Sequence, residues 1–588
     1  MAKNSEKNNT VIVFACGMLM GLIVFFMIYG FDAVKFTNDS YIINGYIEKD
    51  IAQHYTGWLL YRNSPWQFPL GSGQNIAYPY GNAVSFTDSI PLFAIIFKAL
   101  NPLLPATFQY FGLFVMLSFM LQGGFGALLV SLFNSNIFID SVGALAFLFM
   151  PVMVERAFRH CSLTAQFFIV ACLYYYFRNK GRSDLKAVLP FFIINALALT
   201  IHPYYMPFTF GIMFAFCVEL FFLKKEYVKS VLYIVSSLII TAFTGYVIGA
   251  FSISGSLSSL GYGYFNMNLN SLYNPVSKGF ENWSALLEVK PNIWGQIEGF
   301  NYLGLGIILF IPVSIFIYIF NNRKNSISTA LIFVKNYFGI IFSTCALLLF
   351  ALGDWLIFGG LKLYHMPIPE TITNGIFGIF RANGRFGWLL VYMITVFIIY
   401  MLSRCNSEKL TALLIIAMIS IQVFDMRYLL KSKYDYFHKN DGDLQGQSVP
   451  QILTNSFWND AADKYDVGHM VYDPVANSCI EIAQKFGFAG KAANTAFEAK
   501  IDTNKFKNRN AEIKAQINDG TLDKNLIVFI DYIESDILEG IHQNNYDVFW
   551  IEGVYAVCDS KFTTEEINTY CSEGNFKVLE YPYVYSES

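Results

Sequence analysis

Three side chains able to move a proton or hold a cation recur along IEKDIAQHYTGWLLYRNSPW (47–66): Asp50, His54 and Tyr61, at offsets of four and eleven residues. A helix over this stretch sets them on one face. Glu48 adds a second carboxylate just before Asp50, and Arg62 a cation beside Tyr61. A carboxylate partly screened from water by a covering loop can act as general base toward a hydroxyl. The plain alternative is a pair of solvated acids in a first helical turn, where the macrodipole favours them. His54, one turn beyond Asp50, would bond that acid or a phosphate, or fill a purely structural place.

Further charged groups interrupt apolar stretches. ERAFRHCSLTAQ (155–166) carries Glu155, Arg156, Arg159 and His160, and LTIHPYYMP (199–207) carries His202. Ionisable residues at membrane depth are costly, so those that persist tend to serve a cavity or a substrate path, although a snorkelling arginine is the simpler reading. GIFRANGRFGW (378–388) sets Arg381 and Arg385 four apart in a glycine-containing segment. Two guanidinium forks on one face fit a diphosphate or a lipid-linked phosphate, or else anchor to anionic headgroups. The amide- and aromatic-rich segments 261–275 and 296–306 suit stacking on sugar rings, but also resemble an interfacial aromatic belt.

These residues need an apolar scaffold, and composition supplies it. The 588 residues are 55% hydrophobic, 18% aromatic and only 14% charged, which points to an α-helical polytopic membrane protein. Apolar runs at 11–31, 107–132, 139–154, 163–178, 187–202, 205–223, 229–250, 303–320, 336–353, 386–403 and 408–424 make about eleven transmembrane helices by length. The stretch 88–104 holds Lys98 at its centre and opens on an N-cap-like Asp88-Ser89, which predicts a helix lying in the interface. Basic clusters at 178–186, 224–229, 323–335 and 404–409 then all fall on the side of the N-terminus, the cytoplasm by the positive-inside rule. That places 32–106, 252–302, 354–385 and everything after 425 outside.

Beyond residue 430 the apolar runs shorten to strand length, as in LIVFI (526–530), and alternate with helix-like polar stretches. A membrane domain over 1–429 and an extracytoplasmic soluble α/β domain over 430–588 follow, joined by a linker at 431–451. Cys558 and Cys571 could pair in an oxidising compartment. The net charge of −3 argues against a nucleic-acid partner. No phosphate loop, HExxH, CxxC or Rossmann glycine fingerprint occurs, so ATP-driven transport, zinc proteolysis and nucleotide redox chemistry lack their parts.

The blocks NGYIEKDIAQHYTGWLLYRNSPWQFPLG, YPYGNAVSFTDSIPL, RHCSLTAQ, IHPYY, EGFNYLGLG and RANGRFGW together resemble a set of uncharacterised bacterial polytopic membrane proteins. Those are distantly similar to the GT-C superfamily of membrane glycosyltransferases. The resemblance implies an enzyme of the bacterial cytoplasmic membrane that transfers a sugar from a polyprenyl-phosphate donor to an extracytoplasmic glycan or lipid acceptor. It implies Asp50 as the base, with Glu48 second and His54 beside them. Tyr61, Arg62, Arg159, His160, His202, Arg381 and Arg385 are then the candidates for holding substrate. Lys49 separates the two acids where some superfamily members have an adjacent pair, so a divalent cation is an open cofactor. A transporter or lipid flippase, and a non-catalytic cell-envelope scaffold, are the alternatives from other classes.

Overall fold

The computed structural model describes residues 2–43, 50–252, 262–321, 332, 334–375, 377–405, 407–438, 453–471 and 477–579. Glu48 lies outside them. The chain divides into two compact units: residues 1–35, 110–244 and 257–444 form the first, and 36–109, 245–256 and 445–588 the second. The segment 36–109 is thereby grouped with 445–588, and 430–444 with the helical unit.

The first unit is helical. All eleven apolar segments contain helix. Among the described residues, however, five helices are long and apolar enough to cross a membrane: Thr10–Tyr29, Phe111–Val130, Tyr205–Lys224, Tyr227–Val247 and Asn383–Leu402. A sixth arises if Glu408–Asp425 and Arg427–Phe437, bent by 65°, count as one span. Ile137–Leu148, Leu185–Ile201, Leu305–Phe320 and Phe338–Leu352 are apolar but shorter, so the expected count of about eleven falls to five or six. Helices Thr10–Tyr29 and Phe111–Val130 pack backbone to backbone. A Cβ on Gly17 would lie 2.3 Å from the Gly123 carbonyl oxygen, and one on Gly21 2.1 Å from that of Phe119. Small residues here let two apolar helices approach closely, which is how such helices associate without a hydrophobic driving force. Polar groups inside this unit are bonded to one another. Gln122 donates to the Tyr392 hydroxyl (2.9 Å), which donates to Gln166 Oε1 (2.7 Å), whose amide donates to the Val152 carbonyl (2.8 Å).

In the second unit the C-terminal domain is α/β, as its pattern predicts. Helix α1 (Asp50–Asn63) comes from the N-terminal segment. It is followed by α2 (Phe457–Lys464), β1 (Val467–Met470), α3 (Asn477–Phe488), β2 (Ala492–Ala493), α4 (Thr503–Asn518) and β3 (Leu526–Ile530). Next come α5 (Ser535–Gln543), β4 (Asp547–Ile551), β5 (Val554–Cys558), α6 (Thr564–Glu573) and β6 (Phe576–Val578). The sheet order is β6-β4-β5-β3-β1-β2, with β1 parallel to both β2 and β3 and the other pairs antiparallel. LIVFI is fully buried as β3, which is why it reads as an unbroken apolar run. Its alternate residues face opposite layers. Val528 and Ile530 join Ile513 and Ile517 of α4 and Ile537 and Ile541 of α5, whereas Phe529 meets Trp458 of α2 at 5.5 Å and Phe486 of α3 at 6.1 Å.

The N-terminal segment is built into this domain. Tyr78 N–H donates to the Ala493 carbonyl and Ala493 N–H to that of Asn75 (3.0 and 3.1 Å), so the loop extends the β2 edge. Ala499 N–H donates to the Phe86 carbonyl at 2.7 Å. On α1, Asn63 donates to the Gly487 carbonyl (3.0 Å) and the Tyr55 ring packs on Phe488.

Three local expectations change. The short helix Pro91–Ala99 is opened by Pro91 after Ile90 in the left-handed region (φ 55°), with no cap from Asp88 or Ser89. Lys98 is buried in the protein, its ammonium 4.0 Å from the Tyr61 ring centre. Within the expected linker, 431–437 continue the helix Arg427–Phe437 and 439–452 lie outside the described residues. Cys558 is buried and Cys571 exposed, and both are free thiols rather than a pair.

Candidate functional site

Charge gathers most densely in the first unit, where the chain leaves regular helix. Pro151 opens the four-residue helix Pro151–Val154, and Phe158 then takes a left-handed backbone (φ 61°), so 155–160 is folded tightly without being a continuous helix. The four-residue spacing brings Glu155 to Arg159 (Oε1–Nη1 2.5 Å), while Glu155 Oε2 lies 2.7 Å from Arg156 Nε. Both arginines are about 1% exposed and the Glu155 side chain is fully covered. Arg159 continues to Glu281 (3.2 Å) and Arg156 to Glu298 (3.4 Å).

Glu298 is the hub. Its carboxylate also pairs with Arg385 Nη2 and Lys278 Nζ, each at 3.0 Å. Two glycines make this meeting possible. A Cβ on Gly384 would fall 2.6 Å from the Gly299 Cα, so the backbones flanking Glu298 and Arg385 cross where neither has a side chain. Asn301 fixes the crossing by donating to both the Gly299 and Gly384 carbonyls (2.6 and 2.9 Å). Burial alone would raise the Glu298 carboxyl, but the Lys278 ammonium and the Arg385 and Arg156 guanidinium groups outweigh it and hold it well below the usual carboxylate range. Glu155 is likewise held low by Arg156 and Arg159 against its own burial.

Lys433, also buried, feels Glu281 and Glu155 and lies 5.7 Å from the Trp283 ring centre. Among the described residues the cluster joins Arg156, Arg159, Lys278, Arg385 and Lys433 to Glu155, Glu281 and Glu298. His160 and His202 stand beside each other, ring centres 5.4 Å apart; His160 Nδ1 bonds Ser162 Oγ (3.1 Å) and His202 Nδ1 accepts from Tyr204 N–H (3.1 Å). Arg381, by contrast, is exposed, with its guanidinium 5.0 Å from the Phe265 ring centre.

The second unit holds the other predicted residues. Asp50 is half-buried in the first turn of α1, and His54 is fully buried one turn later. Tyr61 and Arg62 are committed to the chain. The Tyr61 hydroxyl donates to the Leu70 carbonyl, and the Arg62 guanidinium donates to Asn101 Oδ1 (2.6 Å) and to the Pro105 and Ala106 carbonyls (3.0 and 2.9 Å). These bonds pin loop 64–106 to α1, a positioning part rather than a substrate contact. Helix α1 is buried from Ile51 to Arg62 on all sides, so its polar residues do not form one solvent-facing stripe.

Sequence reasoning missed Glu298, Glu281, Lys278 and Lys433. Glu298 was visible as the lone acid in QIEGFNYLGLG, flanked by apolar residues and a glycine, which is the pattern of a buried charge awaiting a partner.

Residues 18–427 match the model of the family described as "Domain of unknown function (DUF6311)", and the chain belongs to that family. No curated protein matches it.

Proposed function

We propose that this family member is a membrane glycosyltransferase that moves a sugar from a polyprenyl-phosphate donor to an extracytoplasmic glycan or lipid acceptor. The observation that carries the reading is the cluster in which buried Arg156, Arg159 and Arg385 and partly exposed Lys278 meet Glu155, Glu281 and Glu298 beside apolar helices, a set of guanidinium and ammonium groups suited to an anion on an apolar chain. Exposed Arg381 and partly exposed Lys278 offer the first contacts for such a phosphate. The basic-loop pattern supports an orientation with the N-terminus in the bacterial cytoplasm and the C-terminal domain outside. With all eleven apolar runs counted as spans, 155–160, 278–298, 381–385 and 433 all fall on the outer side, as do 32–106 and everything after 425.

In the reaction, Asp50 takes the proton of an acceptor hydroxyl as its oxygen bonds to the anomeric carbon. The bond from that carbon to the phosphate oxygen breaks, the configuration inverts, and polyprenyl phosphate leaves as a stabilised anion. Fixed positive charge around the departing phosphate is the largest contribution expected to the rate.

The test is transfer of label from a panel of synthetic polyprenyl-phosphate sugars in liposomes, with and without EDTA. Wild type is compared with Asp50→Asn and Arg381→Gln. Turnover abolished in a folded Asp50→Asn protein, with a raised KM in Arg381→Gln, supports the assignment, and loss on chelation adds a divalent cation. No turnover across the panel, together with movement of labelled lipid between leaflets, replaces it with a flippase.

A further inference from the structure

A cleft whose empty space, counted out into solvent, is about 490 Å³ lies wholly in the second unit at the carboxyl ends of β1 and β2. Its place follows from the topology. From β1 the chain pairs with β2 on one flank, and from β2 it crosses to β3 on the other. The helices of those two connections cover opposite faces: Phe486 of α3 packs toward Phe529, and Ile513 of α4 toward Val528. Between two helices diverging in this way, an open α/β sheet has its ligand crevice.

The lining has a definite chemistry. Tyr78 and Tyr80 come from the N-terminal loop and Phe506 from α4, giving apolar ring faces on which a flat, weakly polar ligand can stack. Asn82 donates to the Lys500 carbonyl and accepts from Ala83 N–H, while Asn494 bonds the Met470 backbone in both directions. Each amide is thereby fixed in orientation and keeps a second N–H and a second lone pair for hydroxyl groups. Rings together with oriented amides suit a saccharide.

The charge is positive. Lys505 and Arg509 stand four apart in the first two turns of α4, with the Lys505 ammonium 5.4 Å from the Tyr80 ring centre. Among the described residues, the one acid lining the cleft is Asp502, which caps α4 by accepting from the Lys505 N–H (3.2 Å) and lies 3.9 Å from the Lys505 ammonium, while Arg509 adds a second cation. Arg509 Nη1 meets Glu512 (3.0 Å), but its Nε–H is buried and has no acceptor among the described residues. A buried donor left unsatisfied is destabilising unless a ligand meets it. The segment after β1 reads VYDPVAN, without the glycines that cradle a dinucleotide pyrophosphate.

We infer that this cleft binds a saccharide carrying an anionic group, a uronate or a sugar phosphate, held by Lys505 and Arg509 with the ring stacked on Tyr80. The site would let the outer domain hold an acidic glycan independently of any transfer chemistry. The experiment is titration of the full chain in detergent with methyl glucuronide, glucose 1-phosphate and methyl glucoside, read by saturation-transfer NMR and calorimetry. Wild type should bind at least one anionic sugar tenfold or more tightly than the neutral one. Tyr80→Ala, at an exposed position, and Lys505→Gln, at a half-buried one, should each weaken it at least fivefold with little effect on the fold, Arg509→Gln more, and exposed Lys507→Gln not at all. Preference for the glucuronide or for the phosphate identifies the anionic group. Equal binding of the neutral sugar, absence of binding, or indifference to Lys505→Gln and Tyr80→Ala overturns the inference. Since binding is read without turnover, its failure is distinguishable from failure of the transferase reading.

Discussion

Replacing Glu298 with glutamine keeps the side chain's volume and one acceptor oxygen while removing its charge. At 3.0, 3.0 and 3.4 Å from Arg385, Lys278 and Arg156, the carboxylate offsets three cations at once, and its loss removes a counter-charge from all three. A pair at 3 Å interacts by about 5 kcal/mol at an effective dielectric of 20, most of it cancelled by desolvation. Breaking a buried pair from one side typically costs about 3–5 kcal/mol, and Glu298→Gln should lose that much. The readout is thermal and denaturant unfolding of the full chain in detergent, alongside Arg385→Gln and the double variant. Because both single changes disrupt one pair, the double should cost at least ~1 kcal/mol less than their sum. The pH dependence gives a second handle. The folded Glu298 pKa lies below its unfolded value, so its stabilisation is present above about pH 4.3 and disappears as the pH falls through the folded pKa. The glutamine variant should lack that part of the acid limb. A variant within ~0.5 kcal/mol of wild type at pH 7 with an unchanged acid limb would refute the hub role.

The glycine crossing supplies a matched pair. Gly384→Ala drives a Cβ to within 2.6 Å of the Gly299 backbone and should destabilise by several kcal/mol, on the order of a core overpacking or more, whereas Gly360→Ala, with nothing within 4 Å, should be neutral in the same melts. In the α/β domain, burial pushes the His469 pKa down to about 4 despite its bond to Asn510, so the unfolded chain binds the extra proton between about pH 6.5 and 4 and stability falls as the pH drops through that window. His469→Gln should flatten this limb relative to wild type by up to about 3 kcal/mol, measured by unfolding as a function of pH. Thr563→Ala removes one half of a capping box with Glu566 and should cost about 1 kcal/mol, visible as faster amide exchange in the first turn of α6.

Local pattern made much of this fold legible. Each of the eleven long apolar runs contains helix, LIVFI is a strand buried on both faces, and Asp50–Asn63 is helical. Partners distant along the chain were not legible. Glu298 meets Arg156 across 142 residues and Arg385 across 87, and no periodicity announces such pairs. The loop around Tyr78 joins the edge of β2 through backbone bonds to Ala493, which carry no side-chain signature at all. Lys433 was hidden differently: a charged residue in a polar stretch reads as solvated, yet here it is 2% exposed because the bend at Met426 turns its helix back onto the protein.

The two kinds of arginine in this chain show what distinguishes a recognition residue from a positioning one. Arg62 and Arg381 are equivalent in sequence, each a cation beside aromatic and small residues near the end of an apolar element. Arg62 spends its donors on Asn101 and two carbonyls, so a ligand could take it only by unfastening the loop that those bonds hold. Arg381 is exposed over Phe265 and could turn to a phosphate with little rearrangement. The guanidinium that costs least to redirect is the one expected to meet substrate. Arg62→Gln should therefore lower stability by ~1–3 kcal/mol through its abandoned carbonyl acceptors. Arg381→Gln should leave the melting temperature in place and act on donor affinity alone. If Arg62→Gln melted like wild type while Arg381→Gln unfolded, the division of roles drawn from their hydrogen bonds would be reversed.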